Sequence, residues 1–160
     1  MSIPAARLFD LTAHGDPLKP GPGSPNVLIG GKPAWRGISA AQAAQLIATF
    51  NQGVQDIAKA QAAATAAKGT PGAAAAETNL ANTIKNAAQN MAKLMAGFNA
   101  DKHICAVPYV VIPHGVGVVI NGSQTVLIND LPACRQTDTI QETLSVNSIA
   151  VGEPTVLIGS

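Results

Sequence analysis

The sequence predicts a mainly β protein, three similar units around a pseudo-threefold axis, interrupted by an inserted antiparallel αα-hairpin. Three observations predict it. Composition changes sharply near Gly37 and changes back near Asp101. A glycine turn leading into a Val-Leu-Ile strand occurs three times outside that segment, and a Pro-Ala-x-Arg signature occurs three times beside it.

Residues 39–100 contain 22 alanines and one proline, Pro71, whereas the flanks hold the other ten prolines and most of the Val, Leu and Ile clusters. Alanine favours helix, and β-branched clusters broken by proline and glycine favour strands and turns. Ser39-Ala40-Ala41-Gln42 has the form of a capping box, in which the Ser hydroxyl and the Gln side chain satisfy free N–H groups at a helix start. Ile47, Phe50, Val54 and Ile57 follow at helical spacing, as do Leu80, Ile84, Ala87, Met91, Leu94 and Phe98 in the second half, so each stretch presents one apolar stripe. Lys68-Gly69-Thr70-Pro71-Gly72 breaks the helix between them. The expected division is a discontinuous β body, 1–38 with 101–160, and an inserted Ala-rich helical hairpin, 39–100.

In the flanks, Gly23-Ser24-Pro25-Asn26-Val27-Leu28-Ile29 recurs as Gly122-Ser123-Gln124-Thr125-Val126-Leu127-Ile128 and, more loosely, as Gly152-Glu153-Pro154-Thr155-Val156-Leu157-Ile158. Such self-similarity is the mark of a repeat architecture. Pro33-Ala34-Trp35-Arg36 follows the first copy, Pro132-Ala133-Cys134-Arg135 the second, and Pro4-Ala5-Ala6-Arg7 opens the chain. Arg7 and Arg135 each precede an aspartate by three positions, Asp10 and Asp138. Ser39 stands at the corresponding place after Arg36, and the missing aspartate reappears as Asp101, directly after the helical segment. About 98 residues of β sequence with five aromatic residues in the whole chain make a thin core, which small domains commonly supplement with a metal or a partner. A pseudo-threefold body also fits onto the end of a true threefold oligomer.

A formal charge of +1 gives no basic field for nucleic acid or an anionic membrane. No stretch approaches the ~20 apolar residues of a membrane span, and polar groups such as Gln52, Gln55, Asp56 and Lys59 set among the alanines argue against insertion of the hairpin. The N-terminus has neither the basic region nor the apolar region of a signal peptide, so synthesis in the cytoplasm is expected. All three histidines lie in the β repeats. His14-Gly15 and His114-Gly115 precede their glycine turns by nine and eight residues, and His103-Ile104-Cys105 alternates so that both donors face one side of a strand. His14, His103, Cys105 and His114 thus offer three imidazoles and a thiolate, a zinc-type set that closes a tetrahedron and leaves no open position for catalysis. Cys134 stands where the other copies have Ala6 and Trp35 and is read as a small apolar filler. No Asp or Glu general base accompanies the Cys-His pair, so an enzyme is not expected.

The Pro-Ala-x-Arg signatures, the two His-Gly pairs and the Gly-x-x-x-Val-Leu-Ile strands resemble the PAAR-repeat family, over residues 1–38 and 101–160. The resemblance implies a conical tip of three β-hairpin-like repeats, with one structural zinc ion held near the apex by His14, His103, Cys105 and His114. It implies a trimeric VgrG-like spike of a type VI secretion system as partner, and export by that machine after cytoplasmic synthesis. The third repeat lacks a histidine near Val146 and Asn147, and Ile140-Gln141-Glu142 stands where some members have another metal-binding turn. The hairpin lies outside the resemblance, and its helix faces offer a second role, an adaptor that recruits an effector or chaperone to the spike.

Overall fold

The structure is a computed structural model that describes residues 2–110 and 112–159. In chain order the elements are β1 (Ile3–Ala5), β2 (Leu28–Ile29), β3 (Lys32–Pro33), α1 (Ala40–Ala67), α2 (Ala73–Ala96), β4 (His103–Tyr109), β5 (Ile112–Val119), β6 (Leu127–Ile128), β7 (Leu131–Pro132), β8 (Thr139–Glu142), β9 (Val146–Ser148) and β10 (Glu153–Ile158).

The Pro-Ala-x-Arg segments meet at the centre. Trp35 N–H donates to the Ala6 carbonyl at 2.9 Å, Cys134 N–H to Trp35 at 3.0 Å and Ala6 N–H to Cys134 at 2.9 Å, closing a ring of three. Outside it, Leu8, Gly37 and Gln136 donate to the carbonyls of Pro33, Pro132 and Pro4 at 2.9, 2.8 and 2.8 Å. Proline serves here because only its carbonyl is used and its missing N–H costs nothing. Alternation along each segment sends consecutive side chains to opposite sides of the ring. Ala5, Ala34 and Ala133 pack on one side with Ile29, Ile128 and Ile158. Ala6, Trp35 and Cys134 pack on the other with Leu18, Val119, Ile140 and Ile149. The large Trp35 fills what the small Ala6 and Cys134 leave, so Cys134 is a buried apolar filler, its thiol pushed far up by burial.

Each repeat hangs a short hairpin on this ring. β2 pairs with β3 through Leu28–Pro33 and Ile29–Lys32, and β6 with β7 through Leu127–Pro132 and Ile128–Leu131. The third hairpin joins the two ends of the chain: β10 pairs with β1 through Leu157–Pro4 and Ile158–Ile3. In the turns, Ser24 and Ser123 accept from the N–H groups of Val27 and Val126 at 3.0 and 3.1 Å; in the looser third copy Glu153 accepts instead from the N–H of Thr155, one residue earlier, at 3.2 Å. The turn glycines are required by close approach, since a Cβ on Gly23, Gly122 or Gly152 would lie within 2.7, 3.0 or 2.9 Å of the proline Cβ that it crosses.

The Arg-x-x-Asp pairs lock the ring at its corners. The Arg7, Arg36 and Arg135 N–H groups donate to Asp10, Asp101 and Asp138 at 2.9, 3.0 and 2.7 Å. Each aspartate N–H returns to the arginine carbonyl at 3.1 Å in all three. Each guanidinium also bonds its carboxylate, Arg36 through Nε and Nη2 at 2.9 Å each. The geometry at Arg36 survives a 62-residue insertion because Arg36 and Asp101, on either side of the insert, are joined directly by the same bonds.

The insert is a helical hairpin, with the Ser39 capping box present. Its seam on α2 follows Ile84, Ala87 and Met91 as the spacing predicts, with Met95 also buried. On α1 the structure differs in part: Phe50 and Ile57 are half-buried, but Ile47 and Val54 are 38% and 48% exposed, and the buried positions are Ala43, Leu46, Ala60 and Ala64. Close helix approach selects small side chains, with Gly53 against Ala87, and leaves bulk to the edges. The root of the hairpin packs Leu46, Met91, Met95 and Phe98 on Val118, with Val116 and Ile120 beside it. β5 therefore serves two cores, Val118 facing the hairpin and Val119 facing the ring layer. No helix among the described residues is long and apolar enough to cross a membrane.

Joining Ile38 directly to Asp101 restores an Arg-x-x-Asp spacing. The chain lacking 39–100, with Val116 and Ile120 changed to Thr to keep the bared face of β5 wet, is expected to fold with a β-type circular dichroism spectrum and one cooperative transition. A molten chain would show that the hairpin is part of the core.

Candidate metal centre

Beyond the Trp35 layer, four chain segments bring donors to one point. Cys105 comes from β4, where His103, Ile104 and Cys105 alternate buried, exposed, buried. His114 comes from β5, paired antiparallel with β4 through Cys105–Gly115 and His103–Gly117. Glu142 ends β8, which pairs with β5 through Gly117–Glu142. His14 lies on a loop fastened to β9: Ala13 N–H donates to the Ser148 carbonyl at 2.9 Å, and His14 N–H to Asn147 Oδ1 at 3.2 Å. Asp16 ties the same loop to β4 by accepting from Ala106 N–H at 3.0 Å. The glycine in each His-Gly pair has φ of +89° (Gly15) or +82° (Gly115), which turns the chain directly after the donor and explains the recurring dipeptide.

The donor atoms of His14, Cys105, His114 and Glu142 all lie within 4.8 Å of one another. Cys105 Sγ is 3.5 Å from His14 Nδ1 and 3.6 Å from His114 Nδ1. Glu142 Oε2 is 3.4 Å from His14 Nδ1 and 3.1 Å from His114 Nδ1. His103 stands behind this group, with Nε2 at 3.2 Å from the other carboxylate oxygen, Oε1. The path is opened by Gly117, which lies between His103 and Glu142 in the sheet row. A Cβ there would sit 2.8 Å from His103 Cδ2 and Nε2. Asn147 Nδ2 donates to Oε1 at 2.8 Å, so Asn147, in the repeat that lacks a histidine, supports both Glu142 and the His14 loop. Thr143 fixes the backbone opposite by donating through its N–H and hydroxyl to the His114 carbonyl.

The electrostatics call for a cation. Burial, with the Glu142 carboxylate acting in the same direction, pushes the Cys105 thiol up to about 12. Burial also pushes Glu142 up, but His103 and the Asn147 amide outweigh it and hold the carboxyl below its ordinary value. Glu142 Oε2 and Nδ1 of His103 are fully buried without a hydrogen-bond partner. A buried acceptor left bare costs about 1–3 kcal/mol. A divalent ion removes that cost and converts the thiol to thiolate. The donor set, two imidazoles, one sulfur and one carboxylate, suits zinc.

Sequence reading found the histidines and Cys105 from donor type and strand alternation. The repeats mark Ile140-Gln141-Glu142 and Asn147 as departures, but their place at the centre follows only from the pairing of β8 with β5 and β9. If the centre binds zinc, metal at about 1,000 times Kd adds about 4 kcal/mol, roughly a 10 °C rise in Tm for a domain of this size. Chelator should remove that increment from the native chain and have no effect on Cys105→Ser; equal midpoints with and without chelator in the native chain would contradict a structural ion.

Comparison with protein-family models matches residues 111–160, about a third of the chain, to the family described as PAAR motif. No curated protein and no solved structure gives a match. The matched segment runs through β6, β7 and β10, the Pro132-Ala133-Cys134-Arg135 corner of the ring and Glu142. The chain thus carries the PAAR motif at residues 111–160, and its three-part ring is consistent with a PAAR-repeat protein.

Proposed function

We propose that this protein is a non-enzymatic, metal-pinned tip that seats on a trimeric VgrG-type spike of a type VI secretion system and sharpens it for membrane puncture. The observation that carries the proposal is a threefold apolar face. Leu28, Leu127 and Leu157, at equivalent places in the three hairpins, are 62%, 57% and 57% exposed, while the adjoining Ile29, Ile128 and Ile158 are buried. Three exposed leucines related by a pseudo-threefold axis present one patch to each chain of a threefold partner, and an apolar patch of this kind marks an interface. The metal-donor cluster lies on the other side of the ring, past the Trp35 layer, so the docking face and the pinned end are opposite.

When bound, the ion would cross-link chain segments around residues 14, 105, 114 and 142, so that binding free energy becomes folding free energy. Four protein donors leave no position for water, which suits a structural ion. His14, Cys105 and His114 are the donors common to the sequence reading and to the cluster. Synthesis in the cytoplasm and release with the spike complete the proposed route.

The adaptor role of the hairpin is favoured by one observation. Its distal half leaves a groove among Ala64, Leu80, Ala81 and Ile84, beside Val110, which is 77% exposed. In that role the chain lacking 39–100 keeps its spike and loses its passenger.

Changing Leu28 and Leu127 together to Glu removes two buried contacts worth about 2 kcal/mol each and adds charge to an apolar interface. Binding to the trimeric spike protein, measured by calorimetry, is expected to weaken at least about 100-fold while Tm and metal content stay at the native values. Native affinity in the double variant would place the dock elsewhere.

A further inference from the structure

We infer that Glu142, rather than His103, supplies the fourth donor of the metal centre, and that His103 is a positioning residue acting through the opposite oxygen of that carboxylate; this rests on the metal reading above. Donor spacing carries the assignment. Zinc bonds of about 2.05 Å to nitrogen or oxygen and about 2.3 Å to sulfur, at tetrahedral angles, separate neighbouring light donors by roughly 3.3 Å and nitrogen from sulfur by roughly 3.5 Å. The two nitrogen–sulfur separations here are 3.5 and 3.6 Å. The two nitrogen–oxygen separations, through Glu142 Oε2, are 3.4 and 3.1 Å. Four edges of the tetrahedron are therefore set by His14, His114, Cys105 and Glu142.

His103 does not join that figure. Its ring is buried over Gly117, and Nε2 meets Oε1, the oxygen that also accepts from Asn147. The carboxylate stands between His103 and the other three donors, one oxygen turned to each side. The free Oε2, fully buried and without a hydrogen-bond partner, is the atom aimed into the cluster. Thiolate and carboxylate together balance a divalent ion, so the centre is buried without net charge. A partner that fixes the far side of a ligand is the usual means of orienting it, and its loss weakens metal binding about 10- to 100-fold without changing the ligand set.

Cobalt(II) titration of the full chain tests this, since the thiolate-to-cobalt and ligand-field absorption bands report donor set and geometry. His103→Gln is expected to bind one cobalt with the native band positions and an affinity about 10- to 100-fold lower. Glu142→Gln is expected to shift the ligand-field bands or to abolish binding. Native bands in Glu142→Gln, or shifted or lost bands in His103→Gln, would overturn the assignment. Absence of cobalt and zinc binding in the native chain would overturn the underlying metal reading instead. Should His103→Gln fail to fold, Glu142→Asp decides: it leaves His103 in place and retracts the carboxylate, so shifted bands support Glu142 as ligand and unchanged bands exclude it.

Discussion

A closed ring of backbone hydrogen bonds among three Pro-Ala-x-Arg segments is the constraint on which the rest of the structure depends. Ala6, Trp35 and Cys134 each donate to one neighbour and accept from the other, and the residues after the arginines close a second tier onto the proline carbonyls. A ring of this kind has no sheet edge to protect. It also explains the signature residue by residue. Proline offers a carbonyl where no N–H is wanted, alanine is what three chains converging on one axis leave room for, and arginine closes the corner on an aspartate. The third position is free to vary because its side chain points to the other side of the ring, where one tryptophan complements an alanine and a cysteine.

The ring separates two surfaces of opposite chemistry. On one side the three hairpins present repeated leucines over a layer of isoleucines, which is apolar and threefold. On the other, strands β4, β5 and β8 carry imidazole, thiol and carboxylate groups to a point at which burial has left acceptors bare. A short chain with few large side chains gains little from burial alone, and a cross-link between segments far apart in sequence is an effective supplement. The hairpin adds a third core through β5 and leaves the bonds of the ring intact, because the Arg36–Asp101 clasp closes the joint beneath it.

Much of this was legible in the sequence, and the exceptions have physical causes. The repeat was visible because the ring imposes the same residues three times. Asp101 was recognisable as the displaced partner of Arg36 for the same reason, and the clasp forms in the structure with the bonds of its two counterparts. Helical spacing puts Ile47, Phe50, Val54 and Ile57 on one stripe of α1, of which Phe50 and Ile57 are half-buried; Ile47 and Val54 are left at the edge because two helices in close contact bring small residues such as Ala60 and Ala64 to the line of contact. The place of Glu142 was hidden because it depends on strand register, which a local pattern does not carry. Gly117 makes sense only once His103 and Glu142 are known to flank it.

The most direct measurement is zinc K-edge X-ray absorption on the chain purified without added metal or a chelating tag. A metal-pinned tip predicts one zinc per chain with a first shell of one sulfur and three nitrogen or oxygen neighbours. A folded chain without stoichiometric metal, or a shell without sulfur, would contradict it, and the convergence of His14, Cys105, His114 and Glu142 would then have to be held by packing alone.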